Sequence, residues 1–254
     1  MAEQRRLIIS PNRLLDFAKP LPLNPGELHY LQRVLRLKSG AGFNICDGNG
    51  TIYLANLCPD GNAQLIKKEA LIPQIKPCLQ LFFGLFRRDL EVMLRMATEL
   101  GVDQLHPLQA DYSLLEPGGQ RQERWNIIIK EATEQSERAW LPRLAGLENT
   151  ATALTTPAAL EVCRWIGVTR EAGVPPLEKL LKKENAINAK HWQLACGPEG
   201  GWSSTERELA AAAGWQAVSL SPTVLRCSTA AISGLALMQH QRLQLSGESL
   251  QPSP

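Results

Sequence analysis

From Cys78 onward the chain alternates apolar runs with stretches of helical periodicity, and this alternation restricts the fold more than any other feature. CLQLFFGLF (78–86), VDQLHPL (102–108), residues 163–168 and 192–196, and WQAVSL (215–220) read as strands. The first is apolar enough to be buried on both faces. A helix is predicted at about 87–100, with Leu90, Met93, Leu94, Ala97 and Leu100 on one side. Another at about 120–138 turns Trp125, Ile128, Ile129 and Ala132 inward, and a last one spans about 229–244. Strands separated by helices form a parallel sheet covered on both faces, an α/β domain.

The first seventy residues follow a different pattern. RRLII, GFNIC, TIYLANL and AQLIKK are short runs of β character, and DGNG (47–50) marks a turn between two of them. A single helix at about 26–36 puts Leu31, Val34 and Leu35 on one face. His29, Arg33 and Arg36, at i, i+4 and i+7, fall on another. A small β-barrel with one helix is expected over 1–72. ALIPQIKP (70–77) is the linker, 78–245 the α/β domain, and 246–254 a disordered tail. The N-terminal stretch to residue 76 carries ten Lys/Arg against six Asp/Glu, whereas the remainder is slightly acidic. That asymmetry suits a module that docks on a polyanion beside one with another task.

Several classes are disfavoured. MAEQRRLIIS lacks the apolar core of a signal peptide, and no run approaches the roughly 18 apolar residues of a membrane span. The expected location is the cytoplasm. The six cysteines (46, 58, 78, 163, 196 and 227) contain no C-x-x-C pair, so reduced thiols are expected and no metal site.

The segment ACGPEGGWSSTERELAAAAGW (195–215) carries the chemistry. A strand ends near Cys196, and Ser203 with Glu206 forms a capping box that starts a helix at about 204. Between them Gly197, Gly200 and Gly201 free the backbone to approach a ligand. A plain βα turn satisfies the same glycines. The turn has neither the Lys-Ser/Thr of a phosphate-cradling P-loop nor the G-x-G-x-x-G of a dinucleotide site. Its Glu199 would repel phosphate and suits a cationic or hydrogen-bond-donating ligand, a chemistry that a sulfonium methyl donor fits.

ATELGVDQLHPL (97–108), KEATEQSERAWLP (130–142) and the long segment 196–239 together resemble the RsmE-type 16S rRNA (uracil-N3)-methyltransferases of the SPOUT superfamily. HYLQRVLRLKSGAGFNICDGNG (29–50) is similar to that family's opening domain. The resemblance implies a PUA-like β-barrel and a SPOUT trefoil-knot domain, a homodimer through the knots, and S-adenosylmethionine as methyl donor. The implied partner is 16S rRNA within the small ribosomal subunit. Carried onto this chain, the cofactor positions are Gly167, Val168, Cys196, Gly197, Gly200, Gly201, Leu220, Ser221, Val224 and Leu225. N3 of uracil must lose its imide proton before it attacks, so a base and a cation are wanted. Glu199 is the candidate base or uracil orienter, with ordering of the turn as its alternative. Arg138 is the candidate cation, with an RNA or dimer contact as its alternative. Arg5, Arg6, His29, Arg33 and Arg36 are candidate phosphate contacts. Trp140 and Trp202 are candidates either for stacking on an extruded base or for a core or dimer-interface role.

The chain departs from the family pattern where Met96, Tyr112 and Thr223 replace basic residues and Ser228 replaces a glutamate. These departures leave two alternatives open: a related methyltransferase with another RNA target, or a non-catalytic ribosome-associated RNA-binding protein.

Overall fold

The computed structural model describes residues 6–14, 16–114, 119–157 and 161–247. Its contacts divide the chain into two units, residues 1–74 with 130–141, and residues 75–129 with 142–254. Arg5 lies outside the described residues. Of the expected tail, Ser246 ends the last helix, Gly247 follows at φ 65°, and 248–254 lie outside the described residues.

In the N-terminal unit, β1 (Arg6–Ile8) pairs parallel to β2 (Gly42–Cys46). β3 (Thr51–Leu57) and β4 (Ala63–Leu71) continue the sheet antiparallel, in the order β1-β2-β3-β4. The DGNG turn forms because Asp47 Oδ1 accepts the Asn49 and Thr51 N–H groups at 2.7 and 2.9 Å. Gly50 is required there: a Cβ would stand 2.5 Å from the Ile72 carbonyl and 2.8 Å from the Trp140 ring. Successive residues of β1 face opposite sides. Leu7 joins Leu31, Phe43, Ile45 and Leu57, whereas Ile8 joins Cys46, Ile52 and Ala139.

The helix of this unit differs from expectation. α1 (Pro25–His29) starts with an Asn24–Glu27 capping box, but the chain then widens over Tyr30–Val34, where the Leu35 N–H reaches back to Tyr30 O at 2.9 Å. The extra residue in that turn rotates Val34 outward to 54% exposure. Arg36 lies beyond the helix end at φ 53°, so the predicted i, i+4, i+7 face ends before it. His29, Arg33 and Arg36 are all exposed.

Arg6 is a correction. It is buried, and its guanidinium donates to the Glu137 carbonyl instead of meeting solvent. Beside it, buried Glu134 accepts the Ile8 N–H at 2.8 Å. Burial outweighs that hydrogen bond and the charge of Lys130, and pushes the Glu134 carboxyl up to about 7 from its ordinary 4.5.

The C-terminal unit is built on a parallel sheet in the order β11-β9-β10-β5-β6-β7. Its strands are β5 (Cys78–Gly84), β6 (Gln104–Gln109), β7 (Arg143–Leu144), β9 (Val162–Gly167), β10 (His191–Cys196) and β11 (Gln216–Val218). The short β8 (Glu148–Asn149) pairs with the end of β6. One face packs Leu79, Leu81, Phe83, Trp192 and Leu194 against α2 (Leu90–Glu99), α5 (Leu177–Leu181) and α8 (Cys227–Ser246). The other packs Phe82, Ile166 and Ala195 against Leu154 of α4 (Thr150–Thr155), Trp202, Ala210 of α7 (Ser204–Ala212) and Trp215. Every residue of β5 is buried, as its unbroken apolar run requires.

α2 begins three residues later than predicted, because Asp89 adopts φ 65° and breaks the helix before it. The helix α3 (Gly119–Gln135) ends earlier than predicted, with Glu137 at φ 54°. At the far end of α8, Arg242 Nη1 meets Asp103 Oδ2 at 2.6 Å, both buried, and Arg242 also donates to Gly101 O at 2.8 Å. The same Asp103 oxygen accepts the Leu79 N–H at 2.8 Å. No helix among the described residues is long and apolar enough to cross a membrane.

Glu134 makes a prediction about pH. A folded-state pKa above the unfolded value means that the native state holds the proton more tightly. Stability from this group is therefore complete below about 4.5 and lost as pH rises to about 7. Glu134→Gln keeps an oxygen for the Ile8 N–H and removes the titration. Denaturant unfolding of wild type and variant across pH 4–8 should diverge by about 2–3 kcal/mol, in the variant's favour at high pH. Parallel curves would contradict the assignment.

Candidate functional site

β11, β9, β10 and β5 are neighbours, and the loops leaving their carboxyl ends open on one cleft of about 620 Å³. In parallel sheets ligands bind at this end. After β9 the chain runs through Gly167, Val168 and Arg170; after β10, through Cys196–Trp202; after β11, through Leu220–Cys227; after β5, through Phe86, Arg88 and Asp89. All the lining residues belong to the C-terminal unit.

Small residues set the close approaches. A Cβ on Gly84 would stand 2.5 Å from Pro198 Cδ and 2.9 Å from its backbone nitrogen, so the end of β5 admits the turn only as glycine. On Gly167 it would meet Leu220 at 3.3 Å, and on Gly234 of α8 it would collide with Leu194. The turn closes through the Gly201 N–H to Pro198 O, at 2.8 Å. Gly201 lies at φ 74°, with no atom within 4 Å of where a Cβ would be. Trp202 is held in the core by Nε1–H donating to Gly167 O at 3.2 Å. Trp140, in the N-terminal unit, likewise donates to Ile72 O at 2.9 Å. Trp202 is thus buried while also lining the cleft, and Trp140 is half-buried against the cluster of Ile8, Cys46, Ile52 and Ala139.

The capping box ties in a further loop. Ser203 Oγ accepts the Glu206 N–H at 3.2 Å, and Glu206 Oε2 accepts the Ser203 N–H at 2.8 Å. The other Glu206 oxygen takes the Asp111 N–H at 3.0 Å, and Ser203 Oγ donates to Asp111. This holds Tyr112 over Gly200, whose Cβ would fall 2.7 Å from that of Tyr112. Tyr112 thus fills a structural place beside the turn. Thr223 does the same in its own loop: its N–H reaches Ser221 Oγ at 3.1 Å, and the two hydroxyls pair at 3.0 Å.

All ten positions assigned to a cofactor line this cleft, namely Gly167, Val168, Cys196, Gly197, Gly200, Gly201, Leu220, Ser221, Val224 and Leu225. Glu199 lines it too, with Oε1 accepting the Arg87 N–H at 2.9 Å. Arg138 belongs to the segment that packs with the N-terminal unit, half-buried, its N–H bound to Thr133 O at 3.1 Å. Sequence reasoning missed Arg88, Asp89, Arg170 and Arg226. The one available signal was Asp89, a carboxylate just ahead of the apolar α2 pattern.

Four arginines, Arg88, Arg170, Arg207 and Arg226, oppose two carboxylates, Asp89 and Glu199, so the cleft is net cationic. Arg207 is spent on Glu171, 2.5 Å away. Burial pushes the Cys196 thiol up to about 12 and, with the charge of Glu199, Cys227 up to about 11. Both are therefore held as neutral thiols at neutral pH, the less nucleophilic form. Among the described residues no group of His, Cys, Asp and Glu side chains is arranged to hold a metal ion.

Residues 74–239 match the family described as an RNA methyltransferase domain. The chain belongs to that family. Residues 23–57 match the RNA methyltransferase PUA domain that accompanies it. The chain is 37% identical over 234 residues to ribosomal RNA small subunit methyltransferase E of Synechocystis sp., covering 91% of this chain and 76% of that protein. Against the protein of the same name from Rickettsia conorii it is 27% identical over 230 residues, covering 89% and 91%. The crystal structure of the Neisseria gonorrhoeae methyltransferase E, bound to S-adenosyl methionine, shares this RNA methyltransferase fold with a TM-score of 0.81. That match has 24% identity and covers 94% of this chain and 98% of the other.

Gly84→Ala tests the packing that shapes the cleft. The added methyl must displace Pro198, so a loss of about 1–3 kcal/mol is expected in denaturant unfolding. An unchanged midpoint would mean that the turn yields freely.

Proposed function

We propose that this protein transfers the methyl group of S-adenosylmethionine to N3 of a uridine in the 16S rRNA of the small ribosomal subunit. The observation that carries the reading is the cleft itself: ten positions drawn from three separate segments converge at the carboxyl ends of adjacent parallel strands, in a chain of the RNA methyltransferase family. The names of the relatives and the S-adenosyl methionine bound to the Neisseria protein support it.

The residues fit such a cofactor. A cleft of about 620 Å³ lies within the range of small-molecule sites. Gly197, Gly200 and Gly201 line the cleft without side chains, and Leu220, Val224 and Leu225 offer an apolar wall for adenine. When bound, the cofactor supplies an electrophilic methyl group on a sulfonium. The protein's part is placement: the loops hold the donor, and Glu199, fixed by the Arg87 N–H, orients the acceptor ring. The arginines of the cleft stabilise the anionic ring. Arg138 enters this reading as an RNA contact, with exposed His29, Arg33 and Arg36 meeting phosphates. Buried Arg6 drops out of that group.

In the same reading the chain from β11 into α8 is threaded as a trefoil knot. The strand order supports this, since β11 lies outside β9 while α8 returns to cover β10 and β5. The protein acts in the cytoplasm as a homodimer through the knot domain.

The decisive experiment supplies S-adenosylmethionine and small subunits lacking their uridine methylation, then identifies methylated nucleosides by mass spectrometry. N3-methyluridine is expected. A different methylated nucleoside would move the target, and donor binding without any product would exclude this RNA.

Gly201→Val adds a check on the donor site. It puts a β-branched side chain at φ 74° and fills the open space. Calorimetry should show donor affinity lowered at least tenfold, about 1.4 kcal/mol, in a protein that still unfolds cooperatively. Unchanged affinity would defeat the proposed pocket.

A further inference from the structure

Asp89 stands out on three counts. It lines the cleft, it holds the left-handed conformation at φ 65° and ψ 16°, and it occupies the N-cap of α2 without a side-chain cap hydrogen bond. An aspartate at an N-cap ordinarily adopts extended backbone and gives its carboxylate to the first free N–H groups of the helix. Here the backbone forgoes that bond and accepts a conformation that glycine would enter without strain. Residues held this way collect at functional sites. The Asp89 side chain is exposed, and no ion pair or hydrogen bond engages it among the described residues.

Topology says which side of the cleft it serves. The loops assigned to the methyl donor follow β9, β10 and β11, whereas Asp89 follows β5, across β10 from the other two. The β5–α2 loop thus lines the β5 end of the cleft, joined to the β10 loop by the Arg87–Glu199 hydrogen bond. Of the two carboxylates present, Glu199 has one oxygen committed to the Arg87 N–H. Asp89 keeps both oxygens available and is flanked by Arg88 on the same loop.

We propose that Asp89 is the acceptor-side carboxylate that receives the imide proton of the target base. This rests on the reading of the protein as a uridine-N3 methyltransferase. The Watson–Crick edge of uracil presents O2, N3–H and O4, a donor between two acceptors. A carboxylate beside arginine side chains complements it, while cytosine, whose N3 carries no proton, would leave the carboxylate facing a lone pair. In the step itself the N3–H bond breaks and its proton passes to Asp89, leaving an anionic ring beside Arg88. The N3 lone pair then forms the N–CH3 bond as the S–CH3 bond of the sulfonium breaks, its electron pair returning to sulfur. The Asp89 carboxyl afterwards gives its proton to water.

The test uses the full-length protein, Asp89→Asn and Asp89→Gly. It measures single-turnover methylation of unmethylated small subunits at saturating S-adenosylmethionine, donor affinity by calorimetry, and the melting temperature. The methylation rate should fall about 100-fold in both variants, the scale of a lost general base. Donor affinity should be unchanged, and Asp89→Gly should melt no lower than wild type because glycine relieves the left-handed backbone. A wild-type rate in either variant would overturn the assignment and reduce Asp89 to a turn residue. A loss confined to donor affinity would overturn it by moving the carboxylate to the donor side. If wild type itself yields no N3-methyluridine, the underlying reading fails, and the role of Asp89 falls with it.

Discussion

The buried pair between Arg242 and Asp103 holds the C-terminal unit in register. Its 2.6 Å contact sits where the end of α8, the start of β5 and the turn before β6 meet, and Asp103 also takes the Leu79 N–H. Such a pair adds little net stability, because both charges leave water. Losing one partner is a different matter and costs about 3–5 kcal/mol, since the other charge is stranded. The contribution is positional. Arg242 lies roughly 22 Å along the helix from Cys227, at about 1.5 Å per residue, so anchoring one end of α8 sets where its first turn enters the cleft.

The cleft follows from that frame and from a few close contacts. Gly84 beside Pro198, Gly167 under Leu220 and Gly234 against Leu194 bring three layers nearer than side chains would allow. Glu206 joins the start of α7 to the loop at Asp111, and Glu199 joins the glycine turn to Arg87. Each loop is thus tied to another loop as well as to its own strand. Backbone strain remains where binding is proposed: Asp89 and Arg170, both lining the cleft, are two of the five non-glycine residues with positive φ among the described residues.

Much of this was legible in the sequence, for identifiable reasons. The strands around Leu81, Leu194 and Ile166 are buried on both faces, so their apolar runs had no competing interpretation. The turn at 197–201 was marked by its glycines, and the helix after it by Ser203 and Glu206. What escaped depended on distant partners or on small changes of helical pitch. Val34 turned outward because one widened turn displaced every residue after it. Arg6 resembled a surface cation because its partner at Glu137 lies 131 residues away. Asp89 carried the composition of an ordinary helix cap, and only its φ angle separates it from one. The strand order β11-β9-β10-β5 is not sequential, so the convergence of four loops could be anticipated only through resemblance to a family.

The N-terminal unit is discontinuous, drawing on residues 130–141 to complete itself. Glu134 supplies the acceptor for the Ile8 N–H, Ala139 closes the cluster of Ile8, Cys46 and Ile52, and Trp140 packs over Gly50. During synthesis the first sheet therefore emerges with one face bare, and waits for most of α3 to be made before that face is covered. At about 5–20 residues per second the interval is several seconds, long compared with the collapse of a small sheet. The order of translation thus makes the first unit to be synthesised dependent on a segment that arrives after the second has begun.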